Sequence, residues 1–438
     1  TSQLLQTARE FEDYLLNQSP VSKAATLKQE PIEEEMSPTI NASNYKGSDK
    51  AKKASHFKGL SLGINIQAKT TTVKVDGDIN SKHYVLDAVG DNYLLGDINL
   101  EYGFQLTEKA LLSFGATYSV NSFDLLNISA KRDYFRAEGE DTYSIYVAPG
   151  FALSENVLGY AKLSYNHFEL NTKSNTTSAN DSLSVHGYGI GLGFKSQISE
   201  SLHASVEIQR IMNTDDSFVS QGLGTGSTVG VVGLSYNFNE SPVIFDSKAT
   251  NFQGFNVGLT GELKSTLTKF SIEQYPLDSA GNQHSASSIY VSYTAPLAHR
   301  IFLMTGATYS LTDNELSKIS DSVGNWETFE ESEHYSVFLA PAYQLSNNSL
   351  GFIKLAYHKA QIDTHGKYGI GNYKEEYSED LDGYGIGVGL RSEIYKNIFA
   401  DIEVQHINYH SNKTSISTRR TKSLGSDTNT TIGNVGIS

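Results

Sequence analysis

Six charged residues recur at spacings that would set them against one another. Lys162 stands in LGYAKLSY (158–165), Lys195 in GFKS (193–196) and Glu207 in VEIQ (206–209). Lys354, Arg391 and Glu403 hold the matching places in LGFIKLAY (350–357), GLRS (389–392) and IEVQ (402–405). Each falls on one face of a segment whose other face is apolar, and an enclosed charge is costly unless it is paired. The expected chemistry is therefore structural: a Lys–Glu–Lys (or Arg) network across three neighbouring strands, with Asp97 and Glu101, alternating with Asn99, as further acceptors. A gated ion path along the same charges is the competing reading.

Other reactive groupings are weaker. GYGIGLG (187–193) has strictly alternate glycines, no following helix and no acid at dinucleotide-binding distance, so it is not a nucleotide loop. His167, His186, His358 and His406 lie in or beside strands without the spacing of metal ligands. An acid–histidine pair could be drawn from Asp141 with His167, or Glu333 beside His334. Glu333 matches Asp141 in the second half, but His334 aligns with Thr142 and His167 with Lys359, so no such pair is common to both halves. No enzyme activity, cofactor or metal is expected.

The elements that would position these charges form an internal repeat. FKGLSLGI (57–64) matches FQGFNVGL (252–259), YSIYVAPGF (143–151) matches YSVFLAPAY (335–343), and GYGIGLGFKS (187–196) matches GYGIGVGLRS (383–392). Six such matches keep an offset between 191 and 196, far longer than any solenoid repeat. Within the first copy, alternation predicts strands near 58–73, 92–106, 110–124, 142–153, 157–170, 183–198, 201–212 and 228–238. Tight turns such as Ser154-Glu155-Asn156 and Ser199-Glu200 alternate with long polar loops at 74–91, 125–141, 171–182 and 213–227. The second copy has long loops near 267–285, 313–333, 363–381 and 411–428. Short turns on one side and long loops on the other mark a transmembrane barrel.

Faces follow from the period of two. In 110–120, Leu112, Phe114, Ala116, Tyr118 and Val120 would meet lipid, with Ser113, Gly115, Thr117 and Ser119 in the lumen. In 187–195 the inward set is a row of glycines ending in Lys195, which makes room in a narrow interior. The composition agrees: 26 Tyr, 20 Phe and 37 Gly favour strands and turns. No apolar run reaches the roughly 18 residues of a helical span, and alternation accounts for a negative mean hydropathy. The absence of Cys fits an oxidising compartment. A net charge of -15, with 49 acidic against 34 basic residues, argues against nucleic acid as a partner.

The start of the chain differs. Leu4, Ala8, Phe11 and Leu15 predict an amphipathic helix over 4–16, followed by a polar linker through Glu33-Glu34-Glu35. Lys50, Lys52, Lys53 and Lys58 then stand at the entry to the first strand, where anionic lipid headgroups could meet them. Thr1 reads as the first residue after a removed secretion signal.

GYGIGLGFKSQISESLHASVEIQRI (187–211) followed by TVGVVGLSYNF (228–238) resembles the closing strands of the OmpA/OmpX and opacity-type outer-membrane barrel superfamily, with Tyr236 and Phe238 matching its terminal aromatic signal. The pattern recurs at 383–407 and 431–438, but the second copy ends Val435-Gly436-Ile437-Ser438 without that aromatic. The resemblance covers about residues 57–438.

Together these readings predict an all-β, transmembrane, antiparallel up-and-down fold of two tandem eight-stranded barrels. Residues 1–56 carry the helix and periplasmic linker, 57–238 the first barrel, 239–251 a joint and 252–438 the second barrel. One sixteen-stranded barrel is the alternative; inward charges and glycine rows favour the two small ones. The resemblance implies a bacterial outer-membrane location, with the long loops extracellular and the N-terminal segment periplasmic. The expected function is a non-enzymatic surface or structural protein whose barrels anchor exposed loops for adhesion or envelope interactions. Its partners would be membrane lipids, an extracellular ligand at the loops, and a periplasmic protein or neighbouring protomer at the helix. The rival is a porin passing small solutes through one wide barrel.

Overall fold

The computed structural model describes residues 54–438 except 80–81, 131–132, 175–181, 215–224, 240–251, 273–274, 322–323, 369–372, 412–420 and 423–427. The helix expected at Leu4, Ala8, Phe11 and Leu15, and Lys50, Lys52 and Lys53, lie outside the described residues. Nineteen strands are described, all of whose ladders are antiparallel. The first ring comprises β1 (Gly59–Ile79), β2 (Lys82–Gln105), β3 (Ala110–Ser119), β4 (Phe123–Ala130), β5 (Asp133–Ser154), β6 (Val157–Ser174), β7 (Ser182–Gln197), β8 (Leu202–Asn213) and β9 (Thr225–Asn237). The second comprises β10 (Gly254–Ile272), β11 (Tyr275–Ala298), β12 (Ile301–Ser310), β13 (Asn314–Asp321), β14 (Trp326–Ser346), β15 (Ser349–Tyr368), β16 (Tyr373–Tyr395), β17 (Ile398–Ser411), β18 (Thr421–Lys422) and β19 (Thr428–Ile437).

Each ring closes on itself. β1 pairs with β2 on one side and with β9 on the other, from Ser61↔Asn237 to Val73↔Thr225. β10 likewise pairs with β11 and with β19, from Leu259↔Ile437 to Thr268↔Thr428. β3 and β4 are successive pieces of one stave against β5, as are β12 and β13 against β14 and β18 and β19 against β10, so each ring has eight staves. A sixteen-stranded ring would need ladders from β9 to β10 and from β1 to β19, and among the described residues there are none.

The strands outrun their expected ends. Segments 74–91 and 267–285, expected as loops, are mostly ladder: β1 and β2 pair out to Ile79↔Lys82, and β10 and β11 out to Ile272↔Tyr275. Segments 125–141 and 313–333 behave alike, since β4 pairs with β5 out to Ala130↔Asp133 and β13 with β14 out to Ser320↔Trp326. Alternation marks a strand only where one wall meets hydrocarbon. Backbone pairing needs no such pattern and runs on past it.

The wall is apolar outside and polar inside, the inverse of a water-soluble domain. Ile64, Leu94, Tyr384 and Phe255 are 64%, 66%, 67% and 80% exposed on the outer face. Inward positions of the same strands hold buried polar and charged residues such as Ser61, Asp97, Glu262 and Arg391. Contiguous exposed belts of this kind require hydrocarbon as the solvent. Backbone polar groups are satisfied around each closed ring, which is the condition for crossing a membrane.

A feature not anticipated from the sequence closes the short-turn end of each lumen. Ahead of β1, a 3-10 turn over Ala54–Phe57 tucks inside, with Ala54 N donating to Glu108 O at 2.7 Å. Phe57 packs with Leu111, Ala152 and Leu158, and its ring lies 5.1 Å from that of His203. Gly59, at φ 92°, then turns the chain into β1. Phe252 occupies the same place under ring two, 5.8 Å from the Phe399 ring and 6.1 Å from Phe302, ahead of Gly254 at φ 134°. Phe252→Ala should destabilise ring two by about 3–5 kcal/mol, the usual cost of emptying a buried aromatic site. A lower urea midpoint for unfolding in detergent micelles is the expected result; an unchanged midpoint would mean that this ring is not a floor.

Candidate functional site: two lumens closed by ion pairs

Above the floor of ring one, inward alternation on β2, β6, β7 and β8 delivers charges into a narrow interior. Lys195 Nζ on β7 lies 2.6 Å from Glu101 Oε1 on β2. These staves stand opposite one another in the ring, so this bridge crosses the whole lumen. Ser113 Oγ donates to the same carboxylate at 3.1 Å, and Tyr146 Oη to its other oxygen at 3.0 Å. Lys162 Nζ lies 2.9 Å from Glu207 Oε1, while Tyr160 Oη donates to Glu207 Oε2 at 3.0 Å. Asp97 accepts from Ser119 Oγ at 2.7 Å and from Gln67.

The expected Lys–Glu–Lys network is therefore two separate pairs. Both oxygens of Glu207 are taken by Lys162 and Tyr160, and Lys195 turns instead to Glu101 across the lumen. Ring two departs similarly. Lys354 Nζ lies 3.2 Å from Glu403 Oε2, but Arg391 Nε pairs with Asp401 at 2.6 Å rather than with Glu403. Tyr290 Oη also donates to Asp401. All eight expected residues, Asp97, Glu101, Lys162, Lys195, Glu207, Lys354, Arg391 and Glu403, are buried.

Several partners escaped the sequence reading. Lys69 is 4% exposed and lies under three rings, 5.9 Å from Tyr93, 5.6 Å from Phe123 and 5.5 Å from Phe168. Such a cage stabilises a desolvated ammonium through the ring quadrupoles. At the matching place in ring two, Lys264 pairs with Glu331 and lies 3.3 Å from His334 Nδ1; His334 Nε2 is 3.0 Å from His358 Nδ1. Lys69 and Lys264 were legible, because both stand twelve residues after the paired Phe57 and Phe252. So was Asp401, which shares the inward parity of Glu403. The tyrosine contacts were not, since they depend on inward glycines. A Cβ on Gly193 would lie 2.3 Å from the Tyr160 ring, and one on Gly389 2.2 Å from the Phe352 ring.

A cavity of about 50 Å³ lies in ring two among Glu262, Lys354, Arg391, Glu403 and Asn434. Its size and polar lining suit ordered water. Apolar side chains cap both lumens towards the hairpin end: Leu125, Leu170 and Val185 in ring one, Leu316, Phe329 and Ile362 in ring two.

The residues considered for catalysis do not converge. His167 faces outward, its Nδ1 3.1 Å from His186 Nδ1, and Asp141 accepts from Tyr118 Oη at 3.2 Å. His334 is inward and buried, whereas its neighbour Glu333 has a left-handed backbone at φ 47°. The carboxylates of Glu140, Asp141 and Glu169 approach within 4.8 Å on the surface. Beyond the apolar belt, Arg136 donates to Asp124 at 2.6 Å, and this bond holds its guanidinium above the ordinary arginine value.

No family model and no curated protein matches this chain. Among solved structures, the attachment invasion locus protein Ail of Yersinia pestis is 17% identical over 41% of this chain and 99% of its own, with a TM-score of 0.28. A FadL homologue of Pseudomonas aeruginosa is 9% identical over 86% of this chain and 90% of its own, at 0.30. The toluene transporter TodX of Pseudomonas putida is 8% identical over 86% and 89%, at 0.25. Scores at this level assign neither a family nor an activity.

Replacing Glu207 by Ala would strand Lys162 in the lumen and should cost about 3–5 kcal/mol, as when one partner of a buried pair is removed. The double change Lys162→Met with Glu207→Leu should recover most of that loss. Equal midpoints for Glu207→Ala and the parent in thermal unfolding would remove the pair from the stabilising interior.

Proposed function

We propose that this chain is a non-enzymatic anchor of the bacterial outer membrane, built from two tandem barrels that hold their long hairpins outside the cell. The observation that carries the reading is the Lys195–Glu101 bridge between opposite staves. Among the described residues, this lumen is spanned by that salt bridge, floored by Phe57 and capped by Leu125, Leu170 and Val185, which obstructs it at three levels. Ring two is obstructed in the same order by Phe252, its Arg391–Asp401 and Lys354–Glu403 pairs, and Phe329.

The apolar belt and the resemblance to the OmpA/OmpX type support the location. The asymmetry of tight turns and long hairpins supports an orientation with the hairpins extracellular, the usual arrangement of outer-membrane barrels. Exposed Lys58 then stands at the periplasmic rim. Work at the hairpins would be recognition of an extracellular ligand, with the closed barrels supplying rigidity. The rival porin reading needs one wide sixteen-stranded ring, and the two closed ladders speak against it.

Purified full-length protein in planar lipid bilayers should give no stable, stepwise conductance above the protein-free baseline. Long-lived channels of uniform size would overturn the anchor reading in favour of transport.

A further inference from the structure

Where the two rings touch, each offers the same patch to the other. Val206 and Ile208 of β8, with Phe194 of β7, pack against Ile402 and Val404 of β17, with Leu390 of β16. All six point outward, because Glu207 and Glu403 between them point into the lumens. The contact is thus wall to wall, and it is built from residues at matching places in the two rings.

The fit is reciprocal. A Cβ on Gly230 of β9 would lie 2.2 Å from Val404 Cγ1, and a Cβ on Gly433 of β19 would lie 2.3 Å from Ile208 Cγ2. In register, Gly230 is the partner of Ile208 and Gly433 the partner of Val404. Each wall therefore has one knob beside one notch, and each knob fills the other wall's notch. Residue i meeting j while j meets i is the signature of a two-fold, self-complementary interface. Close approach over glycine is also how protein surfaces associate inside hydrocarbon, where burying apolar area gains little by itself.

Polar contacts flank the seam. At the hairpin end, Gln283 Nε2 of β11 donates to Gly226 O at 2.6 Å and to Thr72 Oγ1 at 3.2 Å. At the short-turn end, Ser196 Oγ and Ser349 Oγ are 2.9 Å apart. A second link exists beyond the belt, where β2 pairs with β11 at Val89↔Ala280 and with β13 at Leu86↔Ile319.

We propose that β8–β9 and β17–β19 form a docking seam through which each barrel is the binding partner of the other, so that the pair holds without the chain that joins it. The inference rests on the membrane reading only in setting the seam in hydrocarbon. Each wall has one copy of the patch and both are used, so the intact chain has none left for a second molecule.

The test uses the full chain with a protease site inserted within 240–251, cleaved after reconstitution in detergent micelles and followed by native mass spectrometry. The two fragments should stay together one to one, and the uncut chain should be monomeric. Gly230→Leu with Gly433→Leu should lower the associated fraction about tenfold or more, from overpacking at the notches. Circular dichroism and trypsin resistance would report whether each fragment keeps its barrel. If those variants do not fold, Ile208→Ala with Val404→Ala, which shortens the knobs without adding bulk, should cause the same fall. Cut wild-type chain that separates at once sinks the proposal. Association that survives the glycine or knob changes also sinks it, because the hold would then lie in the pairings of β2 and β4 with the second ring. Conductance in bilayers would reject the anchor reading while leaving this result unmoved.

Discussion

A ring of eight staves that faces hydrocarbon outside must neutralise its interior charges within its own diameter. The Lys195–Glu101 bridge shows how tight that constraint is, since the two residues belong to opposite staves yet meet at 2.6 Å. Much else follows from it. Glycine at 193 admits the Tyr160 ring, and Tyr160 in turn supplies the hydrogen bond that completes Glu207. A wider ring would hydrate these groups and lose both the need for pairing and the means of it.

The two lumens meet the constraint with different residues. Among the described residues, ring one buries three lysines, Lys69, Lys162 and Lys195, and three acids, Asp97, Glu101 and Glu207. Tyrosines and an aromatic cage then absorb what the ion pairs leave. Ring two replaces Lys195 with Arg391, whose forked guanidinium holds Asp401 through Nε at 2.6 Å and Nη2 at 3.3 Å. It also sets His334 and His358 where ring one has Thr142 and Asn166, extending the polar chain upward from Gln405 to Lys264. The shared scaffold fixes which positions face inward, while the local pairing depends on which side chain can reach.

That division explains what could be read beforehand. Parity along a strand is a local property, so Lys162, Glu207, Lys354 and Glu403 could be assigned inward from sequence and do form their pairs. Partnership across the ring is not local. Nothing in GFKS or in the Asp97–Glu101 stretch tells that Lys195 will cross to Glu101, because the choice depends on relative height and on lumen width. Strand ends failed for a related reason, as at 74–91, where the regular alternation of one apolar and one polar face fades while the ladder runs on. Phe57 and Phe252 were visible only as repeated letters, since the turn at Gly59 or Gly254 that sets them inside leaves no mark in a period-two pattern.

Closure and association then become separable problems. Satisfying every inward charge within one ring leaves its outer wall free to be purely apolar, and an apolar wall in lipid has little reason to choose a neighbour. Selectivity has to come from shape, which is what Gly230 and Gly433 provide against Val404 and Ile208. A notch beside a knob fixes both height and rotation of one ring against the other. With that register fixed, the strands beyond the belt can meet in antiparallel ladders, Leu86 with Ile319 and Val89 with Ala280, and the hairpins of both rings are held as one surface. A single barrel of this size could anchor loops, but it could not supply a second set at a defined distance and angle.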